Sequence, residues 1–296
     1  MVLIAFENIK DDQIDNKNIF VFKSNFFREL IFLTLNIKYL YSSTPDLNKT
    51  IFKKSKLHKC NYIYLQHTPV SLTMIYSENA FTSFDAIQVI NKFQFAEMVE
   101  MKRKFNLKIK IFKSKYLFTE KAAKLSVDLK TDVLVAPTWN SNFYKLNCHI
   151  YLKKYLDKKR ISFKIRPHPM SYRKGEISIK DLKNLKIDID QDEFINFNKY
   201  NFFISDWSGL FIEYAMIFKR KSYLINTPKK ISNKNYKNYS SLPIEISLRD
   251  ILCQTYKINN LIHLTADLYE LKMKLENSNF LDKDFEIKKI IEDNFY

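Results

Sequence analysis

Segments that pattern as strands alternate with segments that pattern as helices along most of this 296-residue chain. Short runs of aromatic and β-branched residues predict the strands, and apolar residues at helical spacing predict the helices. This alternation is typical of parallel sheets joined by crossover helices. We therefore predict an α/β fold of two Rossmann-like domains that face a cleft, with residues 1–125 in the first domain and residues 126–296 in the second.

The predicted elements are short and follow one another closely. Strands are predicted at residues 19–23, 38–42, 61–66, 86–90, 108–118, 132–136, 162–166, 202–205 and 221–226. Helices are predicted at residues 25–35, 93–105, 145–159, 179–185 and 210–219, with two more from residue 259 onwards. The polar, lysine-rich stretch 119–131 is the predicted linker, although its composition also permits a helix.

The formal charge of +17 favours polyanionic partners such as nucleic acid, anionic lipid or phosphorylated substrates. An AT-rich genome favours codons for Lys, Asn and Ile, and this bias alone can produce such a charge. The charge therefore selects no partner by itself. Only seven of the 49 basic residues are arginines. Because a planar guanidinium that grips phosphate is not replaced by lysine without loss, the arginines are the more informative basic residues.

The composition argues against several kinds of site. The chain has only two glycines, Gly175 and Gly209, and this scarcity excludes a glycine-rich phosphate loop. Cys60, Cys148 and Cys253 lack the spacing of metal ligands and indicate reduced thiols, so no metal site and no cofactor are predicted. We find no signal peptide and no apolar segment of membrane-spanning length, and we expect a cytoplasmic protein whose membrane contact is at most peripheral.

The most informative motif is FFISDWSG at residues 202–209, where a strand of buried type ends in a polar turn before a helix. Ser208 is the predicted N-cap, which directs backbone N–H groups and the helix dipole to the carboxyl edge of the sheet. Ligands bind at this edge in open α/β sheets. Since Gly209 has no side chain, we expect a phosphate to approach the backbone there, although an ordinary capped helix shows the same pattern.

The second motif is FKIRPHP at residues 163–169. Each proline biases the residue before it towards extended geometry, so Arg166 and His168 are expected to point to one face. A fixed charge from Arg166 and a proton or hydrogen bond from His168 suit a pyrophosphate. A rigid turn with incidental side chains is the alternative.

Two further strands end in polar residues. The segment YIYLQHTP at 62–69 places His67 after a strand of the first domain, where it could serve as a general base or have only a structural role. The segment VLVAPTWN at 133–140 places Thr138 after the first strand of the second domain, where a donor contact and a plain turn are equally consistent. The acidic residues Asp188, Asp190, Asp192 and Glu193, the last of which lies outside the described part of the chain, are interpreted as a solvated turn.

Four segments of this chain, taken in order, resemble the CDP-glycerol glycerophosphotransferase family of wall teichoic acid and capsule synthesis. They are QHTP (66–69), APTW (136–139), RPHP (166–169) and SDWSG (205–209). Family members carry His-Gly-Thr-Pro, Ala-Pro-Thr-Trp, Arg/Lys-x-His-Pro and Ser/Thr-Asp-Tyr-Ser-Ser motifs in the same order. The likeness spans roughly residues 38 to 228. Thr68 stands in place of the usual glycine, and Trp207 and Gly209 replace the usual tyrosine and second serine.

The resemblance implies a GT-B-like fold with an acceptor domain followed by a nucleotide-donor domain that ends in helices. It implies that His67 activates the acceptor and that His168 is a second catalytic residue, which also holds the donor phosphates. The donor phosphates are further assigned to Arg166, Ser205, Ser208 and Gly209, and the rest of the donor to Thr138, Asp206 and Glu213.

We therefore expect a transferase that moves glycerol phosphate or a sugar from a cytidine-nucleotide-activated donor to a cell-surface polymer or lipid-linked acceptor. The nearest alternative is a GT-B glycosyltransferase that uses a CMP- or UDP-sugar, similar to sialyltransferases. A basic nucleic-acid-binding protein and a non-catalytic paralogue are further alternatives, and we expect no nucleic-acid partner. Peripheral contact with the inner face of the cell membrane is an additional expectation.

Overall fold

The computed structural model describes residues 3–5, 19–21, 24–49, 52–125, 131–192, 194–278 and 284–296. The strands are β1 (Leu3–Ala5), β2 (Ile19–Val21), β3 (Tyr39–Ser42), β4 (Asn61–Tyr64), β5 (Ala86–Val89), β6 (Lys110–Lys113), β7 (Thr131–Val135), β8 (Phe163–Ile165), β9 (Asp188–Ile189), β10 (Tyr200–Ser205), β11 (Ser222–Ile225) and β12 (Cys253–Tyr256). The helices are α1 (Asn25–Thr34), α2 (Lys92–Lys104), α3 (Leu117–Ala123), α4 (Cys148–Lys158), α5 (Pro169–Arg173), α6 (Ile179–Asn184), α7 (Leu210–Phe218), α8 (Ile244–Ser247), α9 (Arg249–Leu252), α10 (Leu261–Ser278) and α11 (Phe285–Asn294).

Two parallel sheets dominate the described chain. The first has the strand order β3-β4-β5-β6, and the second has the order β12-β11-β10-β7-β8-β9. All neighbouring strands within both sheets run parallel, as do β1 and β2, which pair separately. The prediction of an α/β chain with parallel sheets is confirmed, whereas the division into two domains at residue 125 stays a prediction.

One predicted element differs from the structure. The strand predicted at 108–118 is only β6, and helix α3 begins at Leu117. The helix therefore occupies the start of the predicted linker, of which residues 126–130 lie outside the described part of the chain. The alternation of polar and apolar residues in KIFKSKYLF continues beyond the strand, but the chain itself leaves the sheet after Lys113.

The six-stranded sheet is covered on both faces. Val133 and Val135 of β7 belong to one apolar cluster, and Leu134 between them belongs to the cluster on the other face. Alternate residues of a strand point to opposite faces, which explains why residues 133–135 of this strand are all apolar and all buried. A third cluster contains the buried residues of the four-stranded sheet.

The strand order brings the sequence motifs together. In the register of the sheet, Val135 lies opposite Ile204 of β10 and opposite Ile165 of β8. Three neighbouring parallel strands therefore end side by side, and the segments that follow β7, β8 and β10 share one edge of the sheet.

Two buried carboxyl groups hold the loop 70–74 in place. Glu97 of α2 accepts hydrogen bonds from Ser71 Oγ at 2.5 Å, Leu72 N at 2.6 Å and Thr73 Oγ1 at 2.9 Å. Glu245 of α8 accepts from Ser71 N at 3.0 Å. Burial raises the pKa of Glu97 to about 8 and that of Glu245 to about 7. The loop is thereby tied to a helix from each half of the chain.

The last helix connects the end of the chain to the first sheet. Ile287 and Ile291 of α11 pack into the same cluster as Leu134. Beyond the helix, Phe295 forms a bridge with Asn91, and Tyr296 N donates to the carbonyl of Ile90 at 3.1 Å. Residues near 90 and 296 thus form one junction.

Replacing Glu97 with glutamine is expected to make the protein more resistant to high pH. The carboxyl pKa rises from an ordinary value of 4.5 to about 8 on folding, so folding favours the protonated form. The stability that this group contributes is full below the lower value and is lost as the pH rises through the higher one. The Tm of E97Q relative to wild type should therefore increase between about pH 4.5 and about pH 8 in thermal unfolding, and it should level off above that.

The control is Glu97→Leu, which leaves the polar groups of the loop unpaired and should lower the Tm at every pH. A Tm difference between E97Q and wild type that does not change with pH would contradict the assignment of a protonated Glu97.

Candidate active site

A cavity of about 550 Å³ lies where the loops after both sets of strands meet. Seven of the nine predicted site residues line it: His67, Thr138, Arg166, His168, Ser208, Gly209 and Glu213. The loops after β7, β8, β10 and β11 form one part of its wall, and residues 67–76 with Tyr116 form another.

The other two predicted residues lie beneath the cavity. Ser205 Oγ donates to the carbonyl of Ala136 at 2.7 Å, and Asp206 Oδ1 accepts from Thr138 N at 2.8 Å. Both side chains are fully buried, and burial raises the pKa of Asp206 to about 6. They join the ends of β10 and β7 and so support the cavity wall, rather than forming part of it.

Arg166 is held at the wall by the chain after β9. Its Nη1 donates to the carbonyl of Asp192 at 2.8 Å and lies 3.4 Å from Asp190 Oδ2. Asp190 is only 7% exposed, so the interpretation of these acidic residues as a solvated turn is wrong for Asp190. The buried carboxylate and the backbone carbonyl together hold the guanidinium at the cavity wall.

His168 presents a defined tautomer. Its Nδ1 accepts a hydrogen bond from Met170 N at 3.0 Å and caps the short helix α5. Burial, together with the nearby charge of Lys230, lowers the pKa of the imidazole to about 4. A neutral ring whose Nδ1 accepts carries its proton on Nε2. His168 is therefore a hydrogen-bond donor at neutral pH. Of the two roles that the sequence suggested, proton donation and hydrogen bonding, this geometry favours hydrogen bonding.

His67 belongs to the cavity wall on the side of the first sheet and is partly exposed to solvent. Its Nδ1 is 3.3 Å from the Tyr64 hydroxyl, and the ring also interacts with the backbone of Ser43. Partial burial lowers the pKa of His67, and the Ser43 contact opposes that effect. In the neutral tautomer with Nδ1 protonated, Nε2 has a lone pair that can accept a proton.

Glu213 reaches His67 through Tyr116. The Tyr116 hydroxyl is 2.8 Å from Glu213 Oε1 and 2.8 Å from the carbonyl oxygen of His67. One phenol proton cannot serve two acceptors at once. Burial raises the pKa of Glu213 to about 8, so its protonated carboxyl can donate to Tyr116 while Tyr116 donates to His67. Glu213 therefore holds the backbone of the predicted base.

The N-terminus of α7 differs in detail from the prediction. The N-cap is Gly209 and not Ser208, whose hydroxyl accepts only a long bond of 3.4 Å from Leu210 N. The amide of Ile212 donates within the turn to Gly209 O at 3.0 Å. The helix starts one residue later than a serine cap would require, because Ser208 belongs to the polar turn that follows β10.

Gly209 is required by a close approach between the two cavity walls. A Cβ atom at this position would lie 2.5 Å from Val70 Cγ1 and 2.7 Å from Thr68 Oγ1. Thr68 and Gly209, two of the three positions at which the motifs differ from the family pattern, therefore meet in space. The hydroxyl of Thr68 lies where a side chain at position 209 would begin, so one substitution accommodates the other.

Sequence patterns did not indicate three residues that shape the cavity: Asp190, Tyr116 and Lys230. Lys230 Nζ donates to Thr138 Oγ1 at 3.1 Å and lies 4.7 Å from the centre of the Trp139 ring. In a chain this rich in lysine, the only available signal was its position after β11, at the same sheet edge as the motifs.

Within the described residues, no group of three or more His, Cys, Asp or Glu side chains is arranged to hold a metal ion. The same part of the chain contains no helix with the length and apolar character needed to cross a membrane.

No protein-family model matches the sequence, and a search of curated proteins gave no match. Among solved structures, that of the wall teichoic acid polymerase TagF matches with a TM-score of 0.48 and 13% sequence identity, over 86% of this chain and 68% of that chain. At this level of similarity, the function has to be inferred from the cavity itself.

The contact between Thr68 and Gly209 is testable by a double-mutant cycle. Gly209→Ser alone should force Thr68 and Val70 apart and lower stability by about 1–3 kcal/mol, as overpacking usually does. Thr68→Gly in the same chain removes one of the two clashes, so the double variant should recover part of the loss. Thermal unfolding of both single variants and the double variant measures the coupling, and strictly additive effects would contradict the contact.

Proposed function

We propose that this chain is a GT-B-like transferase with two Rossmann-like domains, which moves glycerol phosphate from a cytidine-nucleotide donor to a hydroxyl of a polymer or lipid-linked acceptor. The observation that carries the proposal is the arrangement of one cavity. On the side of the second sheet, its wall contains Arg166, the Nε2–H donor of His168 and the start of α7. On the side of the first sheet, it contains His67. The order of the four motifs supports the choice of donor.

The phosphate-binding side follows from the charges. Arg166 supplies a positioned guanidinium, and His168 supplies a neutral N–H donor whose orientation is set by Met170. Donors that are fixed before the reaction stabilise negative charge without reorganising, and this is often the largest single contribution to catalysis. A diphosphate needs several such donors in one place, and the cavity offers them at a sheet edge suited to nucleotides.

The transfer itself uses His67 as the base. The acceptor oxygen forms a bond to the phosphorus that carries glycerol, and the bond from that phosphorus to the bridging oxygen breaks. CMP leaves with the electron pair, and the acceptor proton passes to His67. Arg166 and His168 stabilise the charge that develops on the leaving CMP. Glu213 and Tyr116 keep the His67 backbone in register with the α7 side of the cavity.

Thermal stabilisation by nucleotides tests the donor. Purified protein is expected to gain Tm with CDP-glycerol, CDP and CMP, and to gain less with UDP and uridine diphosphate sugars, because ligands that bind only the folded state stabilise it. Arg166→Ala should abolish the gain, whereas Arg173→Ala, an exposed arginine on α5, should retain it. A gain with uridine nucleotides alone would replace the donor by a nucleotide sugar. The absence of any gain would overturn the proposal.

The tautomer of His168 can be tested with a matched pair of amides. His168→Asn keeps an acceptor near the position of Nδ1 but removes the donor at Nε2, whereas His168→Gln keeps a donor near Nε2 and gives up the cap. We expect the Asn variant to keep its Tm and lose about 100-fold or more in transfer rate. The Gln variant should retain more activity and lose some stability. Initial rates with CDP-glycerol and thermal unfolding measure both, and wild-type turnover in the Asn variant would refute the role.

A further inference from the structure

The loop between β11 and α8 brings a lysine into the cavity from a direction that none of the motifs covers. The Lys230 ammonium donates to Thr138 Oγ1 at 3.1 Å, and it lies 4.7 Å from the centre of the Trp139 ring. Both contacts are with neutral groups. An ammonium has three N–H donors, and one of them is directed at the Thr138 hydroxyl.

The backbone on both sides of Lys230 is fixed. On one side, Trp207 Nε1 donates to the carbonyl of Thr227 at 2.8 Å. On the other side, Ser232 N donates to the carbonyl of Met74 at 3.0 Å, and Asn233 Nδ2 donates to the carbonyl of Thr73 at 2.9 Å. The loop that carries Lys230 is thus attached both to the turn before α7 and to the loop 70–74. Its ammonium is preorganised in the cavity.

The charge of Lys230 is not neutralised by a direct ion pair among the described residues. The acidic groups that act on it from a distance are Asp206 behind the wall, Glu245 of α8 and Glu176 after α5. Burial outweighs these carboxyls and lowers the pKa of Lys230 to about 8, while Lys230 in turn lowers the pKa of His168. A partly desolvated cation that lacks a carboxylate partner is a favourable place for an anionic ligand.

We infer that Lys230 is a second cationic contact for the donor phosphates, placed beside His168 and complementing Arg166. The inference rests on the proposed function, because it concerns the same cavity. It assigns two fixed cations and one neutral N–H donor to the diphosphate. A lysine whose role was only to connect loops would instead contribute to stability and leave anion binding unchanged.

Lys230→Met tests this inference with Lys229→Met as the matched control. Lys229 is the neighbouring residue; its ammonium lies 5.6 Å from the centre of the Trp207 ring, and it is not part of the cavity wall. The probes are CMP, CDP and inorganic pyrophosphate in isothermal titration calorimetry at one low salt concentration. We expect K230M to weaken binding by about 10- to 100-fold, as the loss of a charged hydrogen bond does, and K229M to have a much smaller effect.

Two further readouts separate phosphate binding from a structural role. The ligand-free K230M protein should be at least as stable as wild type, because it no longer buries part of a charge. Wild-type affinity should fall as the pH rises above about 8, where Lys230 loses its proton. Lys230→Arg should keep the affinity at pH 7 and lose this decline, since arginine stays charged.

Equal affinity of K230M and wild type for all three probes would overturn the role of Lys230 and leave the proposed function standing. A lower Tm of ligand-free K230M with unchanged affinity would assign Lys230 to loop packing. If wild type binds none of the probes, the proposed function fails together with this inference.

Discussion

The position of Ser71 between two buried carboxyl groups determines how the rest of the cavity is assembled. Glu97 and Glu245 come from distant parts of the chain, and both accept hydrogen bonds from this one residue. The loop that contains it follows directly after His67 and Thr68, and its Met74 carbonyl anchors the loop of Lys230. Since burial raises the pKa of both carboxyls and no basic side chain is paired directly with either among the described residues, the connection relies on hydrogen bonds rather than on ion pairs.

Burial sets the chemical character of the cavity. It lowers the pKa of His67, lowers that of His168 to about 4, and raises that of Glu213 to about 8. The positive charge at the wall therefore resides on Arg166 and Lys230, and no ionised carboxylate lines the cavity among the described residues. The electrostatics of such a cavity favour anionic ligands over cationic ones, and its histidines can donate or accept single hydrogen bonds.

The parts of the fold that depend on local pattern could be predicted from the sequence. Strands β7, β8 and β10 are rich in apolar and aromatic residues and end in polar or proline-containing turns, and their parallel pairing places Arg166, His168 and Thr138 at one edge. Features that depend on distant contacts could not be predicted in this way. The sequence around Asp190 is typical of a solvated turn, but in the structure Arg166 packs against Asp190. Position 209 requires glycine because the loop after His67 lies against it. Nothing local distinguishes Lys230 from the other lysines.

The junction between Ile90 and Tyr296 has a consequence for how the chain folds during its synthesis. Ile90 and Asn91 are synthesised roughly 10 to 40 s before Tyr296, at ordinary rates of translation. The four-stranded sheet consists of strands close in sequence and can form in that interval. A four-stranded sheet that forms in that interval exposes its rim beside α2 until α11 has been synthesised, and an exposed rim of this kind can bind a chaperone.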